Sequence, residues 1–132
     1  KSLGLKNIEF HAPIPKRYIQ KTMSRASAFI FNLEDSPVFK YGVSSNKLFG
    51  YMGAEKPVIF SCNSANNPVD EVNAGLTVPP QNPKVLADAA IKLYSLPESE
   101  KENMGKRGKR YVSKNHDMKK LADKLITVLN EL

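Results

Sequence analysis

Short apolar runs and helical patterns alternate along this chain. Compact apolar runs typical of buried strands occur at residues 28–31, 58–60 and 75–78, and a further strand is predicted at residues 8–10. Short connections join these runs to the predicted helices. Such alternation predicts an α/β fold in which helices cover both faces of a parallel sheet.

Helical periodicity accounts for most of the remaining chain. Helices are predicted over residues 16–25, 46–54 and 68–72, after the Asn82-Pro83 cap, after Pro97, and over residues 117–132. The helix after Asn82 carries a buried stripe formed by Val85, Leu86, Ala89, Ala90 and Leu93. The last helix has a similar stripe at Met118, Leu121, Leu125, Val128 and Leu132. Gly105 and Gly108 are expected to weaken the helix that follows Pro97.

A loop in the middle of the chain carries candidate chemistry. Residues 36–44 contain a proline, a glycine and several hydroxyls without periodicity, which predicts a loop that leads into the next helix. The candidate caps of that helix are Ser44, Ser45 and Asn46. A glycine-containing loop before a helix presents unpaired backbone N–H groups and the positive end of the helix dipole, which favour phosphate binding. Lys40 and Lys47 flank this candidate phosphate site and can supply counter-charge.

The ends of two predicted strands add polar residues to the same region. Residues 32–35 and 61–67 follow strands, and ligands of parallel sheets bind beyond the C-terminal strand ends. We therefore expect both segments to lie beside the central loop. The two histidines and the single cysteine are too widely scattered to predict a metal site.

Length and composition limit the class of protein. The chain of 132 residues is long enough for one domain with a substantial core, and a hydrophobic content of 41% is typical of a soluble globular protein. No apolar run approaches the roughly 20 residues of a membrane span. Cys62, the single cysteine, excludes an intramolecular disulfide and is compatible with a reducing cytoplasm.

The formal net charge of +7 raises the question of an anionic partner. Residues 100–124 hold nine Lys and Arg residues against four Asp and Glu residues. A charge run on a surface helix is most often a solvated face, and no nucleic-acid-binding motif accompanies this one. No nucleic-acid partner is therefore expected. If the run has a partner, anionic phospholipid headgroups are at least as well supported, which would place the protein at the inner face of the plasma membrane.

Several short segments resemble, in order, one family of enzymes. The first comprises Tyr41, Gly42, Val43, Ser44, Ser45, Asn46, Lys47, Leu48 and Phe49, followed by Tyr51-Met52 and residues 56–59. The later ones are residues 73–80, Met104-Gly105, Gly108 and Tyr111-Val112. Together they resemble the C-terminal half of bacterial retaining glycosyltransferases of the GT-B type, the glycosyl transferases group 1 family. These enzymes have two facing Rossmann-like halves, and the resemblance covers nearly the whole chain.

The resemblance implies a fold, a function and a site. It implies that residues 1–132 form a single, partial, Rossmann-like donor-binding domain of an enzyme that transfers a sugar from a nucleotide-sugar to a polysaccharide or lipid-linked acceptor. The implied donor-binding residues are Lys40, Tyr41, Gly42, Val43, Ser44, Ser45, Asn46 and Lys47. In the family, backbone N–H groups of this loop hold the donor diphosphate. The resemblance implies that residues 42–45 have this role here. Tyr41 either stacks on a ring or covers the core. The nucleotide-sugar is a substrate, so neither a cofactor nor a metal is expected, and no catalytic residue is assigned.

The sequence departs from the family pattern in two ways. The family usually carries two glutamates separated by seven residues. The first lies near the donor sugar and the second binds the ribose hydroxyls. This chain has Gly42 at the first position and Gly50 at the second. The ribose contact is therefore missing at Gly50, and Glu55 is rotated too far around the helix to replace it. The acceptor-binding half and the first strand of this half are also absent, so we expect a piece of a longer protein that is inactive alone. The last helix, which packs on the other half in the family, is expected to support self-association.

Two other functions stay open. A nucleotide-sugar epimerase of the same architecture needs acid–base residues, and neither His11 nor His116 has a carboxylate-rich setting in the strand-end loops. A non-catalytic binding or scaffolding module is favoured by the loss of the acid at Gly50. Nucleotide titration separates these functions, because an enzyme half discriminates among nucleotide diphosphates and a scaffold does not bind them.

Overall fold

The computed structural model describes residues 4–131, in which three parallel strands form one sheet. The strands are β1 (Phe29–Asn32), β2 (Val58–Ser61) and β3 (Gly75–Val78), and β2 lies between the other two. The helices in chain order are α1 (Lys16–Ser24), α2 (Asn46–Gly53), α3 (Pro68–Glu71), α4 (Pro83–Ser95), α5 (Glu98–Asn115) and α6 (Met118–Asn130). Helices cover both faces of the sheet, as predicted.

The two faces of β2 are packed by different helices because successive strand residues point in opposite directions. On one face, Val58 and Phe60 belong to a cluster that includes Leu48 of α2 and Val69 of α3. On the other face, Ile59 packs in a cluster with α4. All four residues of β2 are buried, which explains the continuous apolar run of its first three residues, Val58, Ile59 and Phe60. The predicted stripe of α4 is confirmed, since all of its members contribute to that second cluster: Val85, Leu86, Ala89, Ala90 and Leu93.

The prediction of a further strand at residues 8–10 is wrong. These residues adopt no strand, and Phe10 is 95% exposed. A strand needs a neighbour to pair its backbone groups. Within residues 4–131, β1 pairs only with β2, so residues 8–10 have strand-like composition without a partner.

The central loop is more ordered than its composition indicates. Predicted as irregular, it contains a short 3₁₀ helix, Pro37–Tyr41. The N–H of Phe39 donates to the backbone oxygen of Ser36 at 3.0 Å, and the N–H of Gly42 donates to that of Phe39 at 2.9 Å. Pro37 is suited to the first position of this helix because it has no backbone N–H, and an N–H at that position would have no partner within the helix.

Side-chain caps begin three of the helices. The predicted cap Asn82 is confirmed, because its Oδ1 accepts a hydrogen bond from the N–H of Val85 at 3.2 Å. Asn67, predicted as part of a loop, caps α3 in the same way. Asp117 caps α6, so that helix begins one residue later than predicted, and Leu132 of its predicted stripe lies outside the described residues. No helix between residues 4 and 131 is long and apolar enough to cross a bilayer.

Gly105 and Gly108 allow close packing instead of weakening α5. The helix runs through both positions, and both glycines are buried. A Cβ at Gly105 would collide with the carbonyl oxygen of Glu55, and one at Gly108 would lie 3.3 Å from the Cβ of Ala74. Gly105 lets α5 cross directly over the turn that joins α2 to β2, and Gly108 lets it pack closely on Ala74 and Met52.

Candidate functional site

The C-terminal edge of the sheet brings the predicted polar segments together. Asn32, Ser61 and Val78 end their strands in register, so the loops that follow emerge at one edge. There, the Asn63 side-chain amide donates to Asp35 Oδ1 at 3.3 Å. The N–H of Ala65, in the loop after β2, donates to the backbone oxygen of Phe39 at 3.3 Å. The prediction that the loops after β1 and β2 lie beside the central loop is therefore confirmed.

Asn66 holds the central loop against the loop that follows β2. Its Oδ1 accepts a hydrogen bond from the N–H of Val43 at 2.6 Å, and its Nδ2 donates to the backbone oxygen of Val43 at 2.9 Å. The hydroxyl of Ser64 donates to the same Oδ1 at 2.9 Å. Gly42 has a φ of 110°, and an added Cβ would lie 3.1 Å from Asn66 Oδ1. Both the backbone conformation and the close approach of Asn66 therefore favour glycine at this position.

Sequence reasoning missed the role of Asn66. The run Asn63-Ser64-Ala65-Asn66-Asn67 after a buried strand was a signal, because amide side chains at a strand end can satisfy loop backbone groups. Nothing local identifies which of the three asparagines does so. The outcome depends on a contact with a loop 23 positions away in sequence.

The unpaired N–H groups lie further along the loop than predicted. Gly42 and Val43 both donate within the protein, to Phe39 and Asn66 respectively. Within the described residues, no acceptor is present for the N–H groups of Ser44, Ser45, Asn46 and Lys47. The expected side-chain cap is also wrong: Ser45 occupies the N-cap position of α2, but its hydroxyl accepts no capping bond. These four consecutive donors at the start of α2 therefore have no protein partner among residues 4–131.

Positive side chains flank these donors. Lys47 lies in the first turn of α2 and is exposed, while Lys40 ends above the ring of Tyr41 with its Nζ 4.9 Å from the ring centroid. Tyr41 is 81% exposed, so it does not cover the core in this structure. Neither lysine forms an ion pair within the part of the chain that the structure describes.

Gly50 lies in the second turn of α2, one turn beyond Asn46 on the same side of the helix. It is exposed, and an added Cβ would lie 3.8 Å from Cε of Met23, in ordinary contact. This position faces a groove of about 460 Å³ between α1 and α2, lined by Ile19, Gln20, Met23, Ser24, Gly50, Gly53 and Ala54. A longer side chain therefore has room at Gly50.

Glu55 does not replace the missing acid at Gly50. It follows the C-terminal end of α2, opposite the open donors, and its carboxylate binds Lys109 with an O···N distance of 2.6 Å. The hydrogen bond from Lys109 lowers the pKa of Glu55, so the carboxylate is held in its charged form by α5. Glu55 is therefore held by α5 at the opposite end of α2 from the open donors.

The remaining ionisable groups do not form an acid–base pair at the strand ends. His11 contacts Glu9 at 3.4 Å in the exposed N-terminal segment, and His116 stacks on Phe49 at 3.7 Å at the end of α5. Burial, followed by the charge of Asp35, raises the pKa of the Cys62 thiol, which is therefore protonated at neutral pH. In residues 4–131 no three His, Cys, Asp or Glu side chains converge as metal ligands. Within the described residues, neither histidine therefore lies beside a carboxylate at the strand ends.

Comparison with protein families places this fold. The family model of glycosyl transferases group 1 matches residues 1–96. The chain belongs to this family. A search of curated proteins found no significant match to this chain.

A solved structure gives the same fold. Sucrose-phosphate synthase from Thermosynechococcus elongatus superposes with a TM-score of 0.78 and 21% sequence identity over 93% of this chain. The superposition covers 29% of the synthase chain, so this group 1 glycosyl transferase spans less than a third of its length. The predicted architecture, part of one half of a GT-B glycosyltransferase, is confirmed.

Proposed function

We propose that this chain is the donor-side part of a glycosyltransferase of the hexosyltransferase type. The whole protein would move a sugar from a nucleotide-sugar to a polysaccharide or lipid-linked acceptor. The acceptor-binding half would lie outside this chain, since the chain spans only 29% of the similar synthase chain. The nucleotide-sugar would serve as a substrate, and no further cofactor is invoked.

One observation carries the proposal: four backbone N–H groups without acceptors, at residues 44–47, at the C-terminal edge of the sheet. They combine direct hydrogen bonds with the positive end of the α2 dipole. The dipole alone contributes only about 0.3–1 kcal/mol when solvated, so several convergent donors and a lysine must provide most of the affinity. A diphosphate matches this arrangement because it offers several anionic oxygens within a short distance.

The same groups suit the chemistry of sugar transfer. When the bond between the sugar and the diphosphate breaks, negative charge accumulates on the departing diphosphate oxygens. Fixed N–H donors and the ammonium groups of Lys40 and Lys47 stabilise that charge without reorganisation during the reaction. The geometry therefore supports leaving-group stabilisation by this chain, with the acceptor provided from elsewhere.

Introducing an acid at Gly50 tests the donor assignment. We expect the chain to bind nucleotide diphosphates weakly, with strong dependence on salt and little contribution from the nucleoside. Gly50→Glu should tighten nucleotide diphosphate binding about tenfold, because a carboxylate can accept hydrogen bonds from the ribose hydroxyls. Binding of inorganic pyrophosphate should not change. Calorimetric titration with both ligands provides the measurement.

The control places the same charge elsewhere on α2. Gly53→Glu adds a carboxylate one turn further from the open donors and should leave both affinities near those of the unmodified chain. If Gly50→Glu alters neither ligand, or if pyrophosphate does not bind at all, the donor assignment is wrong.

The chain alone should not transfer sugar. Transfer takes place in the cleft between the two halves of the enzyme, and we propose that this chain supplies only the donor-binding side of that cleft. Incubation of the purified chain with radiolabelled nucleotide-sugars and a mixture of acceptors should yield no labelled product above the enzyme-free control. Transfer from any donor by the chain alone would overturn this part of the proposal.

A non-catalytic module is the second candidate function. The observation in its favour is Gly50, which leaves the second turn of α2 without a group to hold a ribose. Such a module predicts no discrimination among nucleotides and no response to Gly50→Glu. The titration above therefore separates the two candidates directly.

A further inference from the structure

Two side-chain contacts join α2 to α5 and to the residue that follows α5, one near each end of α2. Beyond the C-terminal end of α2, Glu55 binds Lys109 of α5 with an O···N distance of 2.6 Å. Near the N-terminal end, the ring of Phe49 stacks on the imidazole of His116, with 3.7 Å between the ring centroids and 21° between the ring planes. His116 follows the last residue of α5, and its N–H donates to the backbone oxygen of Val112 at 2.8 Å. His116 therefore links the end of α5 to the start of α2.

Phe49 belongs to the part of α2 that carries the open donors. Its N–H donates to the backbone oxygen of Ser45 at 3.1 Å, a bond that closes the first turn of the helix. Ser45 occupies the N-cap position, and it is one of the four residues whose N–H groups have no acceptor within residues 4–131. A displacement of Phe49 therefore displaces the turn in which the open donors lie.

Packing must hold this turn, because no side chain caps it. The hydroxyl of Ser45 makes no capping bond, and residues 44–47 are exposed or half-buried. The next two residues anchor the start of the helix. Leu48 belongs to the hydrophobic core, whereas Phe49 is half-buried against the imidazole of His116. The stack with His116 is therefore the part of the anchor that a substitution can remove without opening the core.

We propose that His116 is a positioning residue for phosphate binding, and that it acts through Phe49 on the donors at residues 44–47. The proposal rests on the donor site proposed above and adds a residue outside the loop that fixes its geometry. Hydrogen bonds depend on distance and direction, so donors held in one arrangement bind a diphosphate better than donors that fluctuate. The ring of Tyr111 lies 5.6 Å from the imidazole at an angle of 42°, and it restricts the movement of the imidazole from a second direction.

Titration of the whole chain with pyrophosphate, followed by calorimetry, tests this role. His116→Ala removes the stacked ring, and we expect pyrophosphate affinity to fall about tenfold because the donors lose their fixed position. His116→Phe keeps an aromatic ring against Phe49 and should retain the affinity of the unmodified chain. This rescue distinguishes positioning from direct binding, because phenylalanine has no nitrogen that could donate to a phosphate oxygen.

Two further substitutions show whether His116 acts through Phe49. Phe49→Ala should weaken pyrophosphate binding by the same factor as His116→Ala, and the double variant should bind no more weakly than either single variant. Tyr51→Ala is the matched control, because it removes the other aromatic stack of α2, formed with Phe29 of β1 at 4.4 Å. It should lower the free energy of unfolding and leave pyrophosphate affinity unchanged at a temperature at which the variant is folded.

Four results would overturn the proposal, and they can be told apart. Unchanged affinity in His116→Ala would show that the stack does not position the donors, while the donor assignment would stand. Equal losses in His116→Ala and His116→Phe would show that the imidazole itself binds the ligand. Losses that multiply in the double variant would show that His116 acts independently of Phe49. No pyrophosphate binding by the unmodified chain would overturn the donor assignment, and this proposal with it.

Discussion

Replacing Gly105 by alanine is expected to destabilise the chain by about 3 kcal/mol or more, because the added methyl group has no room. The alanine Cβ would collide with the carbonyl oxygen of Glu55 and would lie 2.6 Å from its carbonyl carbon and 3.0 Å from the nitrogen of Lys56. These are backbone atoms of a turn in which Glu55 has a positive φ of 61°. Because these backbone atoms cannot move aside as a flexible side chain would, α5 must shift away from the turn and from α2.

Helix propensity alone predicts the opposite sign. Alanine is favoured over glycine in a helix interior by about 1 kcal/mol. Gly50→Ala is the matched control, since it makes the same change in an exposed part of α2, where the new Cβ meets only Cε of Met23 at 3.8 Å. We expect Gly50→Ala to raise the free energy of unfolding slightly and Gly105→Ala to lower it strongly. Urea denaturation followed by circular dichroism measures both, and stabilisation by Gly105→Ala would contradict the packing of α5 on the turn.

Replacing Asn66 by alanine should release the central loop and weaken phosphate binding. The change leaves the N–H and the backbone oxygen of Val43 without partners, and Val43 is buried. Each buried polar group left unpaired costs about 1–3 kcal/mol, so we expect a loss of about 2–3 kcal/mol in unfolding free energy. Pyrophosphate affinity should fall about tenfold, because the donors at residues 44–47 lose their fixed position.

The neighbouring asparagine provides the control. Asn63 and Asn66 are both exposed, but among the described residues Asn63 makes only one longer hydrogen bond, to Asp35 at 3.3 Å, so Asn63→Ala should change neither stability nor affinity appreciably. Asn66→Asp keeps the acceptor for the N–H of Val43 and loses the donor, so its stability should be intermediate. Denaturation and pyrophosphate titration of all three variants test the role of Asn66. Equal behaviour of Asn66→Ala and Asn63→Ala would show that Asn66 does not hold the loop.

The candidate site was only partly predictable from the sequence. The loop before α2, its glycine and its flanking lysines follow from local signals, and the structure places them at the strand-end edge as expected. The sequence did not indicate which backbone N–H groups of the loop stay unpaired. Gly42 and Val43 were predicted to bind phosphate, but their N–H groups bond to Phe39 and Asn66. The serines predicted as caps make no capping bond, so the open donors start at Ser44.

The errors in the fold have a shared cause. Residues 8–10 have the composition of a strand, yet a strand also requires a partner that composition does not report. Gly105 and Gly108 look unfavourable in a helix when judged by propensity, yet a Cβ at Gly105 would collide with the backbone of Glu55 and one at Gly108 would lie close to Ala74 and Met52. In both cases the deciding contact involves residues far away in the sequence.

The sequence by itself determined the α/β class, the order of the elements and the position of the loop before α2, because apolar periodicity, prolines and caps act within a few residues. The tertiary structure alone decided which N–H groups of that loop stay unpaired and why α5 needs glycine at Gly105. Those features depend on contacts between distant segments, such as Asn66 with Val43, 23 positions apart, and Lys109 with Glu55, 54 positions apart. Local patterns carry no information on which distant groups meet.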